Sequence, residues 1–217
     1  MAFGEVGTSL SKIKANSLNL AGTYGFSGTV SGLADETPLV LLSTFTSDGS
    51  DANATFTSSH ITSTYKEYLF VFNNIHAETN DKHLTFQTST NGGTGYGVTL
   101  TNSNFSARHD EDDSSTDLSY TDNDVAQGTG FAVIAEGLGN ANDGSTSGFL
   151  RLYNPSSTTF VKHYTSQFSL MNFQSPPKAV NYFTAGYFNT TSAINAVQFK
   201  MQSGEIQGGT IDLFGVV

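Results

Sequence analysis

The sequence predicts an all-β protein: an antiparallel β-sandwich, of jelly-roll type, carrying an extended N-terminal arm. Three observations support this. From Leu39 to Val217, short runs of aromatic and β-branched residues recur at strand spacing. Turn signals such as Asn91-Gly92-Gly93 and Asn142-Asp143-Gly144 separate them. No long amphipathic helical pattern interrupts the series. A closed barrel is the second architecture that such a pattern admits.

The strands follow in order. Asp35, Glu36 and Thr37 before Pro38 mark a hinge, and Leu39 to Phe45 opens the body. Further strands are expected over 54–57, 67–75, 83–89, 104–108, 130–136, 148–153, 159–171, 180–189, 193–201 and 209–217. The run from Tyr68 to Phe72 is apolar on both faces, as in a central strand covered on each side. Leu84 with Phe86, and Val197 with Phe199 and Met201, place apolar side chains on one face only.

The first 34 residues differ from this body, being thin in apolar residues and rich in Gly, Ser, Thr and Asn. Thr8 to Ala15 has the pattern of one helical turn, with Leu10 and Ile13 on one side, which is too short to persist alone. Beyond it Leu18, Leu20, Tyr24, Phe26 and Val30 fall at even positions, a strand period with one apolar face. Gly22, Gly25 and Gly28 allow close backbone approach. Ordering each arm residue costs roughly 1–2 kcal/mol of backbone entropy, so the arm should become fixed only by docking on a partner or on copies of itself. A flexible linker is the alternative reading of its Gly and Ser content. The division expected is a docking and oligomerisation arm over 1–34 and a sandwich domain over 35–217.

Composition narrows the function. A body of about 180 residues can bury on the order of 70 % of its unfolded surface, so it needs neither disulfide nor structural metal. There are no cysteines, which removes thiol catalysis and thiolate metal sites. Nineteen acidic against nine basic residues give a net charge of -10, which repels phosphate backbones and argues against nucleic-acid binding. The opening residues do not form a signal peptide, and no stretch is long and apolar enough to span a membrane; a soluble protein is expected.

Candidate chemistry is sparse. His109, Asp110, Glu111, Asp112, Asp113, Asp117, Asp122 and Asp124 form a charge cluster, in which Asp110, Asp112 and Asp113 offer oxygen ligands of the type calcium takes. Ser115 stands where an EF-hand needs glycine and Thr121 where it needs glutamate, so a solvated loop is the competing reading and no metal is assigned. His60, His76, His83, His109 and His163 show no metal-ligand spacing and no nucleophile motif accompanies them, so no catalytic residue and no cofactor are expected. His76 and His163 lie at or within apolar strands, where a structural, hydrogen-bonded histidine is expected. Tyr96, Tyr120 and Tyr153 lie near turns, where exposed rings would offer sugar-stacking platforms, but aromatics at strand period are more often core and no site is assigned to them.

Several runs of the body resemble a β-rich protein family of tailed bacteriophages, including marine and cyanobacterial phages, whose members are described as virion or tail-fibre proteins. The runs are Tyr65 to His76, Phe86 to Gly93, Arg108 to Glu111, Leu150 to Ser157 leading into Val161 to His163, and Ala185 to Ile194. The likeness covers about 39–217. Leu20 to Gly32 is similar to short amino-terminal segments of phage appendage proteins. The resemblance implies a structural, non-enzymatic virion component: a tail-fibre or capsid-decoration module joined to other virion proteins through its arm. It also implies a homo-oligomer, with a trimer the assembly common among such appendages. The competing expectation is a carbohydrate-binding module that recognises host surface glycans.

Overall fold

A computed structural model describes residues 38–217. Twelve strands make up this region: β1 (Leu39–Thr46), β2 (Ala54–Phe56), β3 (Glu67–Ala77), β4 (Lys82–Ser89), β5 (Leu100–Asp110), β6 (Thr116–Tyr120), β7 (Ala132–Leu138), β8 (Thr146–Tyr153), β9 (Lys162–Met171), β10 (Lys178–Phe188), β11 (Ala196–Met201) and β12 (Ile206–Val216). They form two antiparallel sheets packed face to face. The long sheet runs β1-β12-β3-β8-β9-β10-β5-β6 and the short one β2-β11-β4-β7.

The order encodes a jelly roll. With β5, β6, β9 and β10 set aside, eight strands remain, and they pair first with last: β1 with β12, β2 with β11, β3 with β8 and β4 with β7. That is one long antiparallel hairpin. Pairing of β12 with β3 and of β11 with β4 wraps it into two sheets. The two inserted hairpins, β5–β6 and β9–β10, extend the long sheet past β8 as a four-stranded wing. Among the described residues both sheets keep open edges, so the arrangement is a sandwich and not a closed barrel.

Alternation builds the core. In β9, Lys162, Tyr164, Ser166, Phe168 and Leu170 are buried while the residues between them face outward or lie part-buried. Phe70, Phe72, Phe86, Phe168 and Phe199 fill the space between the sheets, with edge-to-face contacts of 5.0 Å for Phe70–Phe199, 5.0 Å for Phe72–Phe199 and 4.9 Å for Phe72–Phe168. Each buried ring contributes about 1.5–3 kcal/mol, and each such pair about 0.5–1.5 kcal/mol more. Gly148 makes the Phe72–Phe168 contact possible. It sits opposite both residues in the ladders, and a Cβ there would stand 2.7 Å from Phe168 Cδ1.

Three expectations change. The fifth expected strand is longer, spanning Leu100–Asp110, and is followed by β6, a strand where a solvated acidic loop is expected from the charge run. β6 is a five-residue edge strand almost wholly exposed; its alternation is confined to Leu118 and Tyr120 within an acidic run, both facing outward, and Asp117 fits the charge that edge strands carry. The run Tyr68 to Phe72 is central in its sheet but has no third layer over its outer face among the described residues. Leu69 is buried there beside its cross-strand neighbours Phe214 and Arg151.

Candidate functional site

The wing projects past the short sheet, and the cleft with the richest chemistry lies where its strands meet β4 and β7. Asp81 ends the β3–β4 turn, His83 begins β4, Arg108 is near the end of β5, Glu136 and Gly137 are near the end of β7, and Asn172, Phe173 and Gln174 come from the β9–β10 loop. These residues line a cleft of about 270 Å³. Pairing irregularities between β4 and β7 lie beside it, the kind of local kink that re-aims side chains.

Backbone contacts fix the walls. The Phe173 N–H donates to the Gly137 carbonyl at 3.0 Å, and the Gly137 N–H donates to His83 Nδ1 at 2.9 Å. Gly137 has φ of 62°, a left-handed conformation, and a Cβ on it would press at 3.4 Å against the Phe173 ring. Phe173 thereby keeps its ring on the rim, 37 % exposed. Because His83 Nδ1 accepts a hydrogen bond, its proton resides on Nε2. Burial pushes the His83 imidazole below its usual range, against the weaker opposing pull of Glu136 and Asp81, so the ring is a neutral Nε2–H donor at neutral pH.

Arg108 is held from two sides. Its Nε donates to Ser106 Oγ at 3.0 Å, and its Nη2 is ion-paired with Glu136 Oε1. The second carboxylate oxygen of Glu136 accepts from Asn123 Nδ2 at 2.8 Å. Both Glu136 oxygens are therefore engaged in aiming the guanidinium, and Arg108 Nη1 makes no hydrogen bond among the described residues. The cleft thus combines a fixed guanidinium, a neutral imidazole donor, an Asp81 carboxylate with no ion pair among the described residues, two amide side chains and one aromatic face.

The acidic loop is arranged differently from a cation site. Asp110 pairs with Lys178 Nζ at 2.7 Å and accepts from Ser114 Oγ at 3.0 Å; the Lys178 bond, above all, holds its carboxyl below the usual carboxylate range. Asp112 accepts from the Ser114 N–H at 3.0 Å, and Asp113 contacts His109 Nε2 at 2.9 Å. Asp110 and Asp112 both turn to Ser114, one to its hydroxyl and the other to its N–H, while Asp113 turns to His109, and among the described residues no three His, Asp or Glu side chains converge as a metal-ligand set.

On the outer face of the wing, cross-strand registry aligns Phe183, Phe105 and Tyr120, with Leu118 beside them opposite Ala107. Phe105 and Phe183 stack at 4.7 Å with planes 9° apart. Leu118 is 72 %, Tyr120 60 % and Phe105 46 % exposed, and the outer edge of β6 pairs with no strand among the described residues. This is a contiguous apolar strip on an open sheet edge.

The remaining sequence candidates are distributed over the surface. His76 Nε2 bonds the Ala141 carbonyl at 2.8 Å, a structural histidine as expected. His163 is instead exposed on the outer face, 6.2 Å from the Tyr187 ring, because its register alternates out of the core. Tyr96 and Tyr153 are half-buried, and of the three tyrosines only Tyr120 is exposed. Leu18, Leu20, Tyr24, Phe26 and Val30 lie outside the described residues. The cleft joins residues from five segments, so no sequence spacing announced it. Comparison with protein-family models, with curated proteins and with solved structures finds no match to this chain.

Proposed function

We propose that this protein is a structural component of a bacteriophage particle, anchored through residues 1–34 and displaying its jelly roll as a tail-fibre or capsid-decoration module. The observation that carries the reading is the apolar strip of Phe183, Phe105, Tyr120 and Leu118 at the free end of the wing. Exposed aromatic and aliphatic side chains in contiguous array fit a protein–protein contact, and an unpaired edge strand fits contact between neighbours in an assembly. The sequence adds a second adhesive element in the arm, with Leu18, Leu20, Tyr24, Phe26 and Val30 on one face. The runs resembling phage virion proteins lie within the sandwich. A jelly roll needs none of these features for its own core, which is complete between the two sheets.

The test is localisation. Particles purified from infected cells should contain the protein at fixed stoichiometry, and antibody labelling should place it on head or tail. Its absence from washed particles would overturn the proposal.

A further inference from the structure

We propose that the cleft lined by Asp81, His83, Arg108, Asn172, Phe173 and Gln174 binds one ring of a neutral saccharide. Sugar rings present two chemistries at once: vicinal hydroxyls that both donate and accept, and an apolar face of C–H groups. The cleft matches each. Asp81 supplies acceptors, Arg108 Nη1 and His83 Nε2 supply fixed donors, and the Gln174 side-chain amide and Asn172 Nδ2 supply further polar groups, Asn172 Oδ1 being taken by the Gln174 and Lys178 N–H groups. Phe173, on the rim, supplies the flat apolar surface.

Size and charge restrict the ligand further. At about 270 Å³ the cleft falls just below the range of roughly 300–1,000 Å³ typical of drug-sized sites, which suits a single ring and not a nucleotide. Asp81 and Glu136 place two carboxylates against the single guanidinium of Arg108, in a chain of net charge -10, so phosphate and acidic sugars are disfavoured. A purely apolar ligand would strand the polar groups without partners. The site is also preorganised, since Phe173 is tied to Gly137, Gly137 to His83, and Arg108 to Ser106 and Glu136. The inference is independent of where the protein sits on a particle.

The test uses the full-length chain, isotopically labelled for nuclear magnetic resonance. It is titrated with methyl glycosides of glucose, galactose, mannose and N-acetylglucosamine, with oligosaccharides ending in each, and with inorganic phosphate. At least one neutral glycoside should shift the His83 and Phe173 signals saturably, with a dissociation constant on the order of 1 mM. Tighter binding of the matching oligosaccharide would identify a chain end as the ligand; equal binding would identify the free sugar. Phe173→Ala and Asp81→Asn should each weaken binding about tenfold or more with the melting temperature unchanged, Asn being tolerated at the left-handed φ of 57° that Asp81 adopts. The inference fails if no neutral sugar shifts these signals, if phosphate is preferred there, or if the shifts map to the outer face near Tyr187 and ignore both substitutions.

Discussion

Arg108 and Glu136 stand 28 residues apart on different sheets, and their side chains close an ion pair across the gap between β5 of the wing and β7 of the short sheet. Both side chains are largely shielded from water, so each needs the other. Glu136→Gln should leave the guanidinium half-satisfied and lower stability by about 2 kcal/mol, and Arg108→Met should do the same from the other side. The double variant should lose clearly less than the sum of the two. Denaturant titration of all four proteins measures that difference; strict additivity would mean the pair is not coupled.

Gly148 tests the packing between the sheets. Gly148→Ala places a methyl group against Phe168 Cδ1 at 2.7 Å and against the Gln167 carbonyl, so either the ring or the β8–β9 ladder must shift. A loss of about 1–3 kcal/mol is expected. Gly130→Ala is the matched control, because a Cβ there meets nothing within 4 Å, and its effect should stay within about 0.5 kcal/mol. Equal effects at the two positions would contradict the packing described.

These two sites show what the sequence could and could not disclose. Alternation and turn residues located eleven of the twelve strands, because burial on one face leaves a period-two trace. In β6 the trace is only Leu118 and Tyr120, two exposed residues inside an acidic run, too short to stand out as a strand. The role of Gly148 was equally hidden: a glycine in a strand signals close approach, but not that Phe72 and Phe168 meet over it. The cleft was the least legible feature. Asp81, His83, Arg108, Glu136 and Phe173 are isolated polar or aromatic residues in sequence, and only the insertion of the two wing hairpins brings them together.

Alkaline pH should unfold the protein through its buried phenols. Burial pushes Tyr182 up to about 12 and raises Tyr164 as well, whereas the unfolded chain releases those protons near the ordinary phenol pKa of about 10. Their folded pKa values are raised, so their contribution is fully present below about pH 10 and is lost as pH climbs toward about 12. The slope is roughly 1.4 kcal/mol per pH unit for each phenol still held neutral. Tyr182→Phe should flatten it by about half, leaving Thr121 without its 3.0 Å partner. Chemical denaturation at stepped pH checks this; an unchanged slope in the variant would refute the assignment.

At the acid end the Asp110–Lys178 pair gives the opposite sign. The folded pKa of Asp110 is depressed, so its contribution is present above the usual carboxylate pKa and disappears as pH falls through the folded value. Asp110→Asn should remove that acid dependence and lower stability at neutral pH. Calcium or a chelator should leave the melting temperature of the parent unchanged, because Asp110 is engaged by Lys178 and Ser114, Asp112 by Ser114 and Asp113 by His109, and no three such side chains converge among the described residues. A chelator-induced drop of more than about 10 °C would require a cation site.

The two contact elements proposed for this protein make separable predictions for assembly. Removing residues 1–34 keeps Pro38, whose carbonyl accepts the Val217 N–H at 3.1 Å and so begins the β1 ladder. The truncated protein should remain a cooperatively folded β-sandwich with the parent's melting temperature, yet fail to join the particle. Leu18, Leu20, Tyr24, Phe26 and Val30 have too little apolar sequence around them to be satisfied within the arm. Burying each at a partner surface contributes about 1.5–3 kcal/mol before ordering costs, so Tyr24→Ser with Phe26→Ser should weaken incorporation strongly. Leu118→Ser with Tyr120→Ser acts on the wing strip instead, at side chains that are 72 % and 60 % exposed and make little contribution to the fold. That variant should keep its stability within about 0.5 kcal/mol and lose contacts between neighbouring copies, read as a shift to smaller species in sedimentation. Normal assembly after truncation would reduce the arm to a linker, and normal sedimentation of the strip variant would remove the wing from the interface.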